Sequence, residues 1–185
     1  MGETGEVLLM NIILIGYRAA GKTTVGRRLS DTLRKMFVDT DDLIEERQGV
    51  PINEIVKSHG WNQFRVIEKK VISEISSHDE LVIAPGGGVV LEPGNIDVLK
   101  RNGFVIWLKA DLQTILKRMS KDPRTETGRP SLTGKGSLAE LREVLTQREP
   151  LYRKASEVQV DTSVLDVDGV VNSVLSILQE RVGRA

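Results

Sequence analysis

Gly16-Tyr17-Arg18-Ala19-Ala20-Gly21-Lys22-Thr23-Thr24 has the residue types and the spacing to hold a chain of phosphates. Two glycines bracket four residues, and a lysine and a threonine follow at once. In that spacing, backbone N–H groups wrap phosphate oxygens where a helix begins. The lysine reaches the outer phosphates and the hydroxyl reaches Mg²⁺. Gly16, Ala19, Ala20, Gly21, Lys22, Thr23 and Thr24 are therefore the candidate nucleotide-binding residues, and Thr23 is also a candidate metal ligand. The context fits: Ile12-Ile13-Leu14-Ile15 precedes the loop as a strand, and Val25, Leu29 and Leu33 follow it on one helical face.

Five further stretches carry groups that could act on a second molecule. Asp39-Thr40-Asp41-Asp42 closes a short apolar run. Residues two apart at a strand end point the same way, so Asp39 and Asp41 can face one pocket while Asp42 caps the next helix. One carboxylate near the loop can hold Mg²⁺ and the other can orient or deprotonate a hydroxyl; equally, all three can be helix-start acids favoured by the dipole. Gly86-Gly87-Gly88 follows another strand and suits close backbone approach to a ligand, or a plain turn. Arg65 has Glu68 three residues on, a spacing that fixes a guanidinium or forms a solvated surface pair, while Trp61 and Phe64 beside it are expected to pack. Arg148 ends a helical pattern, where a basic residue also suits the dipole. The segment 120–136 is polar, rich in Gly, Pro and Thr, and contains Arg124 and Arg129. A lid that excludes water and brings an arginine to a transferring phosphoryl group would have this composition, and so would a flexible loop.

These groups need a scaffold, and the chain alternates short β-rich runs with longer helical patterns. Strands are expected at 12–15, 36–39, 81–85, 104–108 and 157–160, and helices at 23–34, 52–58, 62–76, 112–120, 138–148 and 167–181. The strand runs barely alternate in polarity, as expected of a parallel sheet with helices on both faces. The expectation is a three-layer α/β/α domain over residues 11–182 with a central five-stranded parallel sheet, and residues 1–10 as an N-terminal extension. In such sheets ligands bind beyond the carboxyl ends of the strands, where the candidate residues lie.

Composition narrows the function. At 185 residues there is room for one well-packed domain but not two full-sized ones. Lys+Arg and Asp+Glu both number 26, and aromatic residues make up 4%, which argues against a nucleic-acid or acidic membrane surface. The absence of cysteine excludes disulfides, thiolate metal sites and a cysteine nucleophile. The apolar run that ends at Ile15 is too short to span a membrane, and Glu3 and Glu6 stand where a signal peptide would place positive charge. A cytoplasmic monomer is expected.

Taken together, GxxxxGKT at Gly16, DTD at Asp39, GxxxFRxxE from Gly60 to Glu68, GGG at Gly86, RPxL from Arg129 to Leu132 and RxPLY from Arg148 to Tyr152 resemble the shikimate kinase family of small P-loop kinases. The resemblance covers residues 11 to about 180 and rests on six motifs in the family's order. It implies transfer of the γ-phosphoryl group of MgATP to the 3-hydroxyl of shikimate. It further implies that Lys22, Asp41 and Arg129 are catalytic, with Asp41 on the substrate hydroxyls as the candidate base and Arg129 on the lid. Asp39 would join Thr23 in placing Mg²⁺, Arg118 would lie over adenine, Arg65 and Arg148 would grip the carboxylate, and Gly86, Gly87 and Gly88 would line the substrate site. Residues 40–77 would form the substrate-binding segment and 120–136 the lid.

The chain departs from the family pattern in four places. Ala19 and Ala20 stand where further glycine is frequent, and Trp61 stands where glutamate is common. Residues 161–166 lack the usual proline and arginine, and the lid stretch is longer than in many relatives. The rival readings are another small-molecule kinase, such as one for gluconate, and a nucleotide-binding protein without catalysis. The combined GGG, FR and RxPLY set disfavours the first, and the full complement of Lys22, Thr23, Asp39, Asp41 and Arg129 disfavours the second.

Overall fold

Apolar residues on both faces of five short strands dictate the layering. The computed structural model describes residues 10–122 and 138–183. Among these, β1 (Asn11–Ile15), β2 (Met36–Asp39), β3 (Leu81–Ala84), β4 (Gly103–Lys109) and β5 (Val158–Asp161) form one parallel sheet in the order β2-β3-β1-β4-β5. Ile12 and Leu14 of β1 join Phe104, Ile106 and Leu108 of β4 in one apolar layer, while Ile13 and Ile15 join Val105 and Trp107 in the other. Each residue fully buried there contributes on the order of 1.5–3 kcal/mol, so neither face can be left to water.

Helices α1 (Lys22–Leu33) and α7 (Val167–Val182) cover the first face through Val25, Leu29, Val170, Val174 and Leu178. The second face receives α2 (Thr40–Gln48), α3 (Ile52–Ile75), α4 (Pro93–Arg101), α5 (Leu112–Met119) and α6 (Leu138–Ala155). This is the three-layer arrangement with a central five-stranded parallel sheet that the strand pattern predicts.

The elements depart from expectation in two ways. Helix α4 was not expected; its stretch is short and opens on Pro-Gly-Asn, which reads as a turn, yet Pro93 stands at a helix start where a missing N–H costs nothing. Helix α6 passes through Pro150 instead of stopping at Arg148. A proline inside a helix costs about 3 kcal/mol, and burial of Tyr152 and Ala155 beyond it offsets this. The two helices expected at 52–58 and 62–76 both form, and they meet within α3 at a kink at Gly60. Gly60 has φ 78° and ψ 169°, a conformation that side-chain-bearing residues avoid.

Asn11 interrupts the first apolar run but is 1% exposed. Its side chain donates to the His78 carbonyl at 2.7 Å and accepts from the Leu81 N–H at 2.9 Å, fastening the start of β3 to β1. A buried amide satisfied on both ends is compatible with the core.

Candidate active site

The glycine loop leaves β1 at the carboxyl edge of the sheet and runs into α1. Gly16 and Gly21 have φ of 148° and 99°, and Ala19 takes a left-handed φ of 60° without being glycine. That position costs an alanine about 1–2 kcal/mol. Neighbouring bonds hold it in place: Arg118 Nη1 donates to the Ala19 carbonyl at 3.2 Å and to Thr162 Oγ1 at 3.0 Å, and Arg118 Nη2 donates to the Thr162 carbonyl at 2.6 Å. The Thr162 hydroxyl in turn donates to the Ala20 carbonyl at 3.1 Å, and Thr162 is buried. Arg118 is thereby tied to the loop and to the end of β5 together.

Lys22 Nζ donates to the Gly16 and Tyr17 carbonyls at 2.9 and 3.0 Å, folded back over its own loop. The Thr23 hydroxyl donates to Asp39 Oδ2 at 2.7 Å, while Asp39 Oδ1 accepts from the Asp41 N–H at 3.1 Å. Asp39, not Asp42, is thus the residue that caps α2. The helix begins three residues earlier than a cap at Asp42 would place it, so Asp39 and Asp41 reach the same cavity from a cap and a first helical turn, not from strand alternation. That cavity, of about 360 Å³, is lined by Ala19, Ala20, Gly21, Lys22, Thr23, Thr24, Asp39, Asp41, Arg118 and, on its far wall, Leu165 and Val167.

A smaller cavity of about 60 Å³ adjoins it and shares Asp41. Its walls come from Arg65, Glu68 and Trp61 of α3, from Gly86, Gly87 and Gly88, and from Arg148 of α6. Close packing around the three glycines explains their identity. A Cβ on Gly86 would lie 2.5 Å from Asp41 Oδ1, and one on Gly88 would lie 2.2 Å from Arg65 Nη2. The Gly86 N–H donates to the buried Thr40 hydroxyl at 3.2 Å, which joins this loop to the start of α2.

Arg65 Nη1 donates to Glu68 Oε2 at 2.6 Å, and the Glu68 side chain is 0% exposed. The pair is therefore a buried fixture and not a solvated one. Burial pushes the Glu68 carboxyl above its ordinary value of 4.5, against the pull of Arg65 and with a further push from Asp41 and Glu92. Glu68 Oε1 has no hydrogen-bond partner among the described residues. Arg148, 8% exposed, donates through Nη1 to the Gly87 carbonyl at 3.1 Å and sits 5.8 Å from the centre of the Tyr17 ring.

The candidate residues of the described segments thus gather at two joined cavities. Arg129, with most of the expected lid, falls outside the described residues. Trp61 was expected only to pack; it stands edge-on to Phe64 at 5.7 Å and lines the smaller cavity, with the Arg65 guanidinium 5.5 Å from its ring. Thr162 and Leu165 belong to the stretch 161–166 that the family resemblance places on the adenine side, and they line the larger cavity although the stretch lacks the usual proline and arginine; Val167, just beyond it, was not anticipated.

The donor set of Thr23 Oγ1 and Asp39 Oδ2 consists of hard oxygens side by side. That suits Mg²⁺, which binds through one or two protein oxygens and completes its shell with phosphate and water.

The family model for shikimate kinase matches residues 18–179. A shikimate kinase of Syntrophus aciditrophicus is 41% identical over 179 residues, covering 92% of each chain. One of Caldanaerobacter subterraneus is 39% identical over 176 residues, covering 95% of this chain and all of the other. Among solved structures, a shikimate kinase from Acinetobacter baumannii in complex with shikimate is 32% identical, with a TM-score of 0.88 over 97% of this chain and 98% of that one.

Proposed function

From the premise that the chain belongs to the shikimate kinase family, we propose how its two cavities divide the phosphorylation of shikimate by ATP. The larger cavity takes the nucleotide and the smaller one the acceptor. The observation that carries this reading is the position of Asp41, the carboxylate that lines both.

On the nucleotide side, loop N–H groups hold the phosphates at the start of α1, and Lys22 exchanges its two carbonyl partners for phosphate oxygens. Arg118 and the apolar wall of Leu165 and Val167 receive the base. Thr23 and Asp39 would hold Mg²⁺, which neutralises charge on the outer phosphates. On the acceptor side, Arg65 and Arg148 grip the shikimate carboxylate, and the Gly86–Gly88 backbone lies against the ring. The forks of two arginines suit a planar carboxylate better than ammonium groups would.

In the reaction, the 3-hydroxyl oxygen of shikimate attacks the γ-phosphorus, and the bond to the bridging oxygen breaks, with its electron pair leaving on ADP. Asp41 accepts the hydroxyl proton. Because phosphoryl transfer depends chiefly on positioning and electrostatics, the dominant contributions are alignment of the hydroxyl by Asp41 and charge stabilisation by Lys22 and Arg129. The reading includes one kinase domain over residues 11–182, with the acceptor segment at 40–77 and a lid at 120–136. The active unit is a cytoplasmic monomer. No helix among the described residues is long and apolar enough to cross a membrane.

ADP release measured with shikimate, quinate and gluconate as acceptors tests the assignment. ADP should form with shikimate and far more slowly with the other two. Equal rates with gluconate would overturn the assignment of the smaller cavity.

A further inference from the structure

We propose that Tyr152 is a positioning residue for the acceptor, because its hydroxyl fixes the orientation of the Gly87–Gly88 peptide between Arg148 and Arg65. The inference rests on the reading of the smaller cavity as the shikimate site.

Tyr152 is buried on α6, and its ring stacks on Trp107 with centroids 5.8 Å apart at an interplanar angle of 22°. Its hydroxyl donates to the Gly87 carbonyl at 2.5 Å, and Arg148, one helical turn earlier, donates to the same carbonyl at 3.1 Å. Both lone pairs of that oxygen are therefore engaged. Burial pushes the phenol well above its ordinary value, so it stays protonated and remains a donor.

A trans peptide is planar, so fixing its carbonyl also fixes its N–H on the opposite side. Between two glycines no side chain restricts that rotation: the Val89 N–H to Gly86 carbonyl bond at 3.0 Å closes the turn around the peptide, and the bonds to the Gly87 carbonyl set which way its plane faces. The Gly88 Cα faces the Arg65 guanidinium so closely that a Cβ there would meet Nη2 at 2.2 Å. The Gly87 Cα abuts the glycine loop, 3.2 Å from the Gly16 carbonyl and 3.3 Å from the Arg18 nitrogen when measured from a built Cβ. The peptide is thus held between the two arginines, and the Gly88 N–H donates to no acceptor among the described residues. A third donor set between two guanidinium groups suits a carboxylate.

If Tyr152 only fills space, phenylalanine serves equally well, since the stack on Trp107 survives. The test compares Tyr152→Phe with the unmodified protein, using shikimate, shikimate methyl ester and ATP. One lost hydrogen bond at this peptide should raise the KM for shikimate about three- to tenfold, with kcat and the KM for ATP within about twofold. The preference for the acid over the ester should fall by a similar factor. A Trp107→Phe variant, which disturbs the stack and keeps the hydroxyl, should lower Tm and leave that preference intact. Unchanged shikimate kinetics in Tyr152→Phe, or an unchanged acid-to-ester ratio, would overturn the inference; so would the same loss of preference in Trp107→Phe. No phosphorylation of shikimate by the unmodified protein would instead remove the reading on which it rests.

Discussion

The two cavities are built in opposite ways. The nucleotide side is roomy, and residues 19–25 form one contiguous wall of it, completed by Asp39, Asp41, Pro85, Arg118, Asp122 and residues from 162 to 170. Its polar groups are already bonded to the protein: Lys22 to loop carbonyls, Thr23 to Asp39 and Arg118 to Thr162. The acceptor side is tight and drawn from six stretches, at 17–18, 41, 52, 61–68, 86–88 and 148, with buried capacity left over at Glu68 Oε1. Phosphate binding is therefore a local property that a short motif can carry. On the proposed reading, acceptor selectivity is a tertiary property that depends on all of these stretches keeping their places.

Asp41 lies on both sides, and replacing it breaks the comparison most sharply. Asp41→Asn should lower kcat by roughly 10²–10⁴-fold while the KM for ATP stays within about threefold, read from ADP release and nucleotide titration. Equal losses in rate and nucleotide affinity would place Asp41 with the metal and leave the acceptor side without its hydroxyl partner.

A smaller effect should separate the two sides cleanly. Arg65→Lys and Arg148→Lys should each lower kcat/KM for shikimate by about ten- to a hundredfold, since an ammonium cannot reproduce a guanidinium fork. ATP affinity measured without shikimate should be unaffected. If shikimate kinetics are unchanged in both variants, neither arginine holds the carboxylate.

The smallest effect concerns stability. Because burial raises the Glu68 carboxyl above 4.5 in the fold, its favourable contribution is complete below that pH and is lost as pH rises through the higher folded value. Glu68→Gln removes the titration. Urea midpoints of the two proteins from about pH 4 to about pH 8 should show the variant gaining on the unmodified chain as pH rises, and the gain then levelling off. A constant difference would mean that Glu68 titrates alike in both states, so the acceptor side would hold no buried carboxyl out of its usual range.

Sequence legibility follows the same division. The strands could be read to within a residue or two because apolar runs covered on both faces leave a strong signal, and the glycine loop could be read because its spacing is itself the geometry. The Gly60 kink was also visible, as a break between two helical patterns. By contrast, Asp42 looks like a cap as readily as Asp39 does, and only the carboxylate's contact with the Asp41 N–H decides between them. Pro150 suggests a helix end that long-range burial of Tyr152 overrides. Trp61, Thr162 and the Tyr152 hydroxyl act through partners far away in the chain, and no local periodicity encodes that.

The placement of the two tryptophans has an optical consequence. Trp107 is 4% exposed and stacked in the core, so its emission comes from surroundings that a ligand leaves alone. Trp61 stands at the acceptor cavity under the charge of Arg65. An anion that draws that guanidinium away changes the field across one indole only. On the proposed division of the cavities, acceptor binding should therefore shift the emission of Trp61 while that of Trp107 serves as an internal reference.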